Sequence, residues 1–135
     1  MALALVVVTP SGEAFSEEIE QVVLPGEAGD FGVLESHERF LTPLTLGPMQ
    51  IIGNGETRWA AITSGFAEVD GSRVVVLVDS CEMASEIDQA ASEARRSEAS
   101  AALAGLADEE ANVGERARLR AAIAKAELEL DVAGR

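Results

Sequence analysis

Groups that do chemistry are scarce in this sequence: one cysteine, one histidine and one tryptophan in 135 residues, with ten basic side chains against twenty-four acidic ones. The single cysteine, Cys81, has no partner for an internal disulfide, which fits a reducing compartment. Its acidic neighbours Asp79 and Glu82 raise a thiol pKa rather than activate it, so no nucleophilic role is expected. The single histidine, His37, lies between Glu35 and Glu38. Side chains one and two residues away on an extended chain point in different directions, so these three do not make an acid–base site. One histidine, one cysteine and scattered carboxylates also lack the ligand spacing of a zinc centre. A formal net charge of −14, with no dense basic patch, argues against nucleic acid and anionic lipid headgroups as partners. No apolar run approaches the roughly 20 residues of a membrane-spanning helix, so direct membrane insertion is not expected. The apolar start Leu3-Ala4-Leu5-Val6-Val7-Val8 has no basic residues ahead of it and ends at Thr9-Pro10, which marks a first strand rather than a signal peptide. No cofactor is expected either. Gly26, Gly29 and Gly32 recur every third residue, yet no Lys-Ser or Lys-Thr follows, so they read as turn and bulge positions rather than a phosphate-cradling loop.

What is present divides the chain in two. All four prolines and nine of the twelve glycines fall in residues 1–85, while residues 86–135 contain fifteen alanines and no proline. The first part has short β-branched runs such as Leu5-Val6-Val7-Val8, Val22-Val23-Leu24 and Val74-Val75-Val76-Leu77-Val78, which are strands. Turn signals separate them: Pro10-Ser11-Gly12, Pro25-Gly26, Gly47-Pro48, Gly53-Asn54-Gly55 and Asp70-Gly71. Asp70-Gly71 reads as the clearest hairpin, because a tight turn there needs residues tolerant of positive φ. The pattern predicts an all-β sandwich or flattened barrel of about 8–10 strands over residues 1–85, closed on itself because an open sheet leaves adhesive edges. Trp59 is expected to cap one hydrophobic face.

Residues 86–135 predict a C-terminal α-helical hairpin. Ser85-Glu86-Ile87-Asp88 and Asn112-Val113-Gly114-Glu115 are capping signatures, and Gly105 with Asp108-Glu109-Glu110 marks the turn between the helices. Leu119, Ile123, Ala126 and Leu130 form one stripe on the second helix. Ile87, Ala90, Ala91, Ala94, Ala101 and Ala102 give the first a shallow apolar face. Alanine faces bury little area, so the hairpin should be weakly held and lean on the sandwich or on a partner. Charge is uneven: residues 1–85 carry thirteen acids and three arginines, a net of −10, and residues 86–135 carry eleven acids and seven bases, a net of −4. The tail is therefore the less repulsive half toward an acidic partner. On its residues alone this is a non-catalytic interaction protein, for which an adaptor whose hairpin docks another protein is one form.

The block Val22-Val23-Leu24-Pro25-Gly26-Glu27-Ala28-Gly29-Asp30-Phe31-Gly32-Val33-Leu34, followed by His37 and Phe40-Leu41-Thr42-Pro43-Leu44, resembles the epsilon subunit of the bacterial F-type ATP synthase. Ser64-Gly65-Phe66-Ala67-Glu68-Val69, Val74-Val75-Val76-Leu77-Val78-Asp79, Ile87-Asp88 and Leu119-Arg120-Ala121-Ala122-Ile123-Ala124 extend the likeness over essentially the whole chain. The resemblance implies a central-stalk part that grips the gamma subunit, rests on the polar loops of the c-ring, and helps pass rotation between proton flow and ATP synthesis. It implies c-ring contact through Asp30, with Glu27 and His37 on neighbouring turns. It also implies a switching tail that, when extended into the catalytic alpha/beta head, inhibits ATP hydrolysis, with Arg116, Arg120 and Lys125 as its basic contacts. Arg116 and Arg120, four residues apart, share a helix face, whereas Arg118 points elsewhere. The ATP-sensing relatives have an arginine where this chain has Ala91, so the cation expected to hold phosphate is missing and no useful ATP binding is implied. Glu82 and Asp88 persist from that pattern, with Asp88 read first as a capping residue. Glu35-Ser36-His37-Glu38-Arg39 departs from the family's Pro-Gly-His-Ala-Pro. The implied place is peripheral, on the cytoplasmic face of a bacterial plasma membrane, because no Arg-rich presequence precedes the first strand.

Overall fold

The computed structural model describes residues 2–35 and 37–135, with the backbone alone for His37. Ten strands among the described residues precede two helices. They are β1 (Leu3–Thr9), β2 (Gly12–Ile19), β3 (Gln21–Gly26), β4 (Gly29–Leu34), β5 (His37–Leu44), β6 (Gly47–Gly53), β7 (Glu56–Ile62), β8 (Gly65–Gly71), β9 (Arg73–Val78) and β10 (Cys81–Met83). The helices are α1 (Gln89–Ala104) and α2 (Val113–Ala133). The strands form one strongly curved sheet in the order β10-β7-β6-β3-β5-β8-β9-β1-β2, with β4 paired to β3. The β1–β9 pairing is parallel and the others are antiparallel. The sandwich and the helical hairpin read from the sequence are both present.

Alternation explains the core. Leu3, Leu5 and Val7 of β1 point inward, as do Val22 and Leu24 of β3, Met49 and Ile51 of β6, and Val74 and Val76 of β9, all fully buried. Residues between them face outward, as a period of two requires. The hairpin turns differ in detail from the sequence reading. Asn54 and Gly55 both have positive φ, 54° and 76°, and join β6 to β7 with Gly53 opposite Glu56, so this is the two-residue turn with mirror-image geometry. In the β8–β9 hairpin Asp70 pairs with Arg73, which moves the turn one residue on, to Gly71-Ser72.

The hairpin caps also shift. Ser85 lies in a 3-10 turn over Ala84–Glu86, and α1 starts after Asp88, whose carboxylate accepts from the Ala91 amide at 3.1 Å. A carboxylate there satisfies an amide that has no partner inside the helix and complements the helix dipole. Asn112 does precede α2, but its side-chain amide donates to the Ala107 carbonyl at 2.9 Å instead of capping the helix. The inward face of α1 is not the predicted one. Ser92 and Ala99 are buried, while Ala90, Ala94, Ala101 and Ala102 are exposed and Ala91 is half-buried. Alanine surrounds this helix, so its spacing carries no contrast between faces. On α2 the predicted stripe is partly right: Leu119 and Ala126 are buried, and Ile123 and Leu130 half-buried. Its best-buried positions also include Val132 and, unexpectedly, Glu129.

Candidate functional site

Across β5, β8, β9 and β1 the outward side chains make two rows. Pro43 is opposite Phe66, Phe66 opposite Leu77, and Leu77 opposite Val8; alongside run Leu41, Glu68, Val75 and Val6. Leu41, Phe66 and Leu77 are 66%, 52% and 47% exposed. Seven of these eight side chains are apolar, and a contiguous apolar face open to solvent marks an interaction surface. The hairpin does not cover it, because α2 packs on β6 and β7, on a different part of the sheet.

At one end of the sandwich the β3–β4 turn presents Glu27 and Asp30, both exposed. Gly29 has φ of 127°, a conformation available to glycine, and closes that turn opposite Gly26. The Glu27 amide donates to the Pro43 carbonyl and the Thr45 amide to the Pro25 carbonyl, at 3.3 and 2.9 Å, tying the turn to the end of β5. His37 begins β5 at the other end, opposite Gly71, and its side chain lies outside the described residues. The seven steps between the first and last of its eight residues, at about 3.3 Å each, put roughly 23 Å between the two ends of β5. Leu44, not His37, lies opposite Gly26 beside the β3–β4 turn, so Glu27 and His37 do not share one turn surface.

Where the hairpin meets the sandwich, two carboxyl groups approach each other. Glu129 of α2 is 2% exposed and lines the same narrow crevice as Glu82 on β10. Hydrogen bonding to Glu129, partial burial and the charge of Glu129 push the Glu82 carboxyl above the ordinary range, while Lys125 and Arg95 pull it back. Arg95 Nη2 donates to Glu129 Oε1 at 3.4 Å and to the buried Ser92 Oγ at 3.1 Å. The crevice between hairpin and sheet, lined by Leu46, Ala61, Glu82, Lys125, Leu128 and Glu129 among others, is too narrow for a water molecule. Beside it Ala61, Ile87 and Val132 form a small buried cluster against Trp59 and Leu128. The guanidinium of Arg135 sits 4.3 Å from the Trp59 ring centre. Trp59 therefore caps the hairpin junction. The Cys81 thiol is not activated here: burial first, then the charges of Glu86 and Glu82, push it up to about 11.

Residues 2–84 match the model of the ATP synthase delta/epsilon chain beta-sandwich domain. The chain belongs to the ATP synthase epsilon family. It is 38% identical over 136 residues to the ATP synthase epsilon chain of Anaeromyxobacter sp. (strain K), covering all of both chains. It is 42% identical over 100 residues to that of Pelotomaculum thermopropionicum, covering 74% of this chain and 75% of the relative. Its fold is similar to a chain in the Euglena gracilis mitochondrial ATP synthase structure of OSCP, F1 and c-ring, with a TM-score of 0.79, 22% identity, and coverage of 99% of this chain and 82% of that one. As an epsilon-family member it is a non-catalytic subunit of the ATP synthase complex.

The tail residues of this epsilon-family chain are dispersed in the docked hairpin. Arg116 turns back on the loop between the helices, 3.2 Å from the Ala107 carbonyl and 3.0 Å from Asp108. Arg120 is exposed, and Lys125 is half-buried at the junction crevice. Arg118 pairs with Glu115 one turn earlier. The structure thus places the basic residues in three separate settings. Asp88 is engaged as the cap of α1, its carboxylate accepting from the Ala91 amide. Glu129 escaped the sequence reading because a charged residue is ordinarily taken as solvated. Its position three residues after Ala126, on the buried side of α2, was the available signal.

Proposed function

We propose that this chain couples rotation of the gamma subunit and c-ring to ATP synthesis and that its helical hairpin restrains ATP hydrolysis by the alpha/beta head. The observation that carries the reading is the open apolar face of Leu41, Pro43, Phe66, Leu77, Val75, Val6 and Val8, which suits a permanent protein partner such as gamma. The acidic turn with Glu27 and Asp30 suits a basic c-ring loop; such exposed pairs fix register and contribute about 1 kcal/mol or less. Arg116, Arg120 and Lys125 reach an acidic segment of the head only after the hairpin leaves the sandwich, because two of the three are engaged at its loop and junction while docked. No helix among the described residues is long and apolar enough to cross a membrane. The proposed place is peripheral, on the cytoplasmic face of a bacterial plasma membrane, held by its partners.

The test is the ATP hydrolysis rate of the cognate head with its gamma subunit, with the full chain or a form ending at Ser85. The reading expects both to bind and the full chain alone to lower the rate. Equal rates with both bound would leave the chain a coupling element with a structural hairpin. Phe66→Glu is expected to weaken binding of either form, and unchanged binding would remove the apolar face as the gamma contact.

A further inference from the structure

We propose that Glu82 and Glu129 form a proton-loaded latch, which holds the hairpin on the sandwich while one proton is shared between them and loosens it when both are ionised. The inference concerns the docked state of the chain itself and stands whether or not the hairpin acts on hydrolysis. Its basis is placement. Glu129 is 2% exposed, on the face of α2 that meets the sheet, and Glu82 on β10 faces it across a crevice with no space for water. With a proton on Glu82, its hydroxyl donates to the Glu129 carboxylate, which also accepts from Arg95 Nη2 at 3.4 Å. Neutral Glu82, anionic Glu129 and cationic Arg95 then link β10, α2 and α1 in one chain of hydrogen bonds.

Loss of that proton to solvent removes the donor and places two carboxylates together at the narrow crevice, Glu129 buried and Glu82 half-buried. The charged groups facing them are few. Lys125 of α2 and Arg95 of α1 oppose the repulsion, but the Arg95 side chain is 56% exposed and so solvated. On β10 itself the neighbouring Cys81 thiol, pushed to about 11, stays neutral across this range. Docking binds a proton that the released hairpin gives up, because Glu82 returns to the ordinary carboxylate range once freed. Docking is therefore favoured on the acid side and weakens as pH rises from the ordinary carboxylate range through the raised value. The burial holding the hairpin otherwise is small, with Ala61, Ile87 and Val132 as its buried apolar cluster, so a modest electrostatic change alters the population of the docked state.

Trp59 reports the docking directly, since it is the chain's one tryptophan and Arg135 of the hairpin's end lies on its ring. Emission of the full-length isolated chain is measured from about pH 4.5 to about 8, for the natural sequence, Glu82→Gln and Glu129→Gln. The latch expects a red shift with rising pH in the natural chain and a flat profile in Glu82→Gln, whose amide donates to Glu129 at every pH. A natural-chain profile without pH dependence, or the same shift in Glu82→Gln, overturns it. Should either variant fail to fold, carboxyl NMR of the natural chain decides. A Glu82 carboxyl that titrates above the ordinary range supports the latch, and an ordinary Glu82 titration refutes it.

Discussion

Replacing Val132 by aspartate is expected to release the hairpin and leave the sandwich folded. Val132 is fully buried in the small cluster with Ala61 and Ile87. Burying a valine side chain contributes about 1.5–2 kcal/mol. An unpaired carboxylate in the same place adds a penalty of several kcal/mol. The two together exceed what a three-residue cluster supplies, whereas the sandwich rests on a separate core of seventeen buried residues that Val132 does not join. Helices of 16 and 21 residues released from their support are marginal in water. The variant should therefore show red-shifted Trp59 emission and a reduced helical circular dichroism signal at room temperature, with strand structure retained and a cooperative melt. Leu24→Ala, in the main core, should instead destabilise the whole chain by about 2–5 kcal/mol and lower its melt. If Val132→Asp abolishes strand and helix signals together, residues 1–85 and 86–135 are one cooperative unit and the reasoning fails. If Trp59 emission stays that of the natural chain, the hairpin is held by something other than this cluster.

Gly65→Ala should cost roughly 2–4 kcal/mol, because a Cβ there would lie 1.9 Å from the Leu77 carbonyl oxygen inside the β8–β9 pairing. Gly71→Ala, in open space with φ of 62°, should cost only about 1–2 kcal/mol; chemical denaturation of both variants checks the order, and reversal would refute the steric account. Cys81 should react very slowly with a thiol reagent at neutral pH, since a thiol near 11 is only about one part in a thousand thiolate at pH 8, and unfolding should accelerate it. Arg58 binds Glu17 through two hydrogen bonds, at 2.7 and 3.1 Å, and holds its carboxyl below the ordinary range, so this pair's stabilisation is present at neutral pH and lost as acid protonates Glu17. Thermal melts against pH should show Arg58→Gln less stable at neutrality by a margin that shrinks in strong acid, where its contact with the Phe15 ring is still lost; a constant difference would refute the assignment.

The strands were legible because apolar and outward residues alternate sharply, as in Leu3, Leu5 and Val7 against Ala4, Val6 and Val8. The face of α1 was not, because alanine is small and occupies both sides. Ser92 and Ala99 point inward, and Ala90, Ala94 and Ala101 outward. Asp88 was legible as an acid near the start of a helix. Its competitor Ser85 was drawn into the 3-10 turn that carries Ile87 to the junction. The apolar outer face of the sandwich was hidden in runs such as Val74-Val75-Val76-Leu77-Val78, which read as simply hydrophobic until register sorts alternate members to opposite sides. Glu129 needed contact across elements: nothing in its own sequence neighbourhood says that β10 brings Glu82 to meet it.

The placement of these surfaces has a physical consequence for independence. The hairpin leans on β6 and β7, while the open apolar face lies on β5, β8, β9 and β1. A partner seated on that face loses no contact when α2 departs, and departure uncovers the patch around Ala61, Trp59 and Ile87 and the crevice wall at Leu46 and Glu82. Energetic coupling between the two surfaces has to pass through the sandwich core, whose close-packed residues have no second arrangement visible between them. Anchoring and hairpin release should therefore be additive, so that Phe66→Glu and Val132→Asp combined give the sum of their separate effects on binding and docking. The docked state meanwhile rests on a few apolar side chains and on Glu129, an ionisable group in the buried stripe of α2. A leucine at that position would fill the crevice with apolar surface, remove the dependence on pH, and favour the docked hairpin under all conditions.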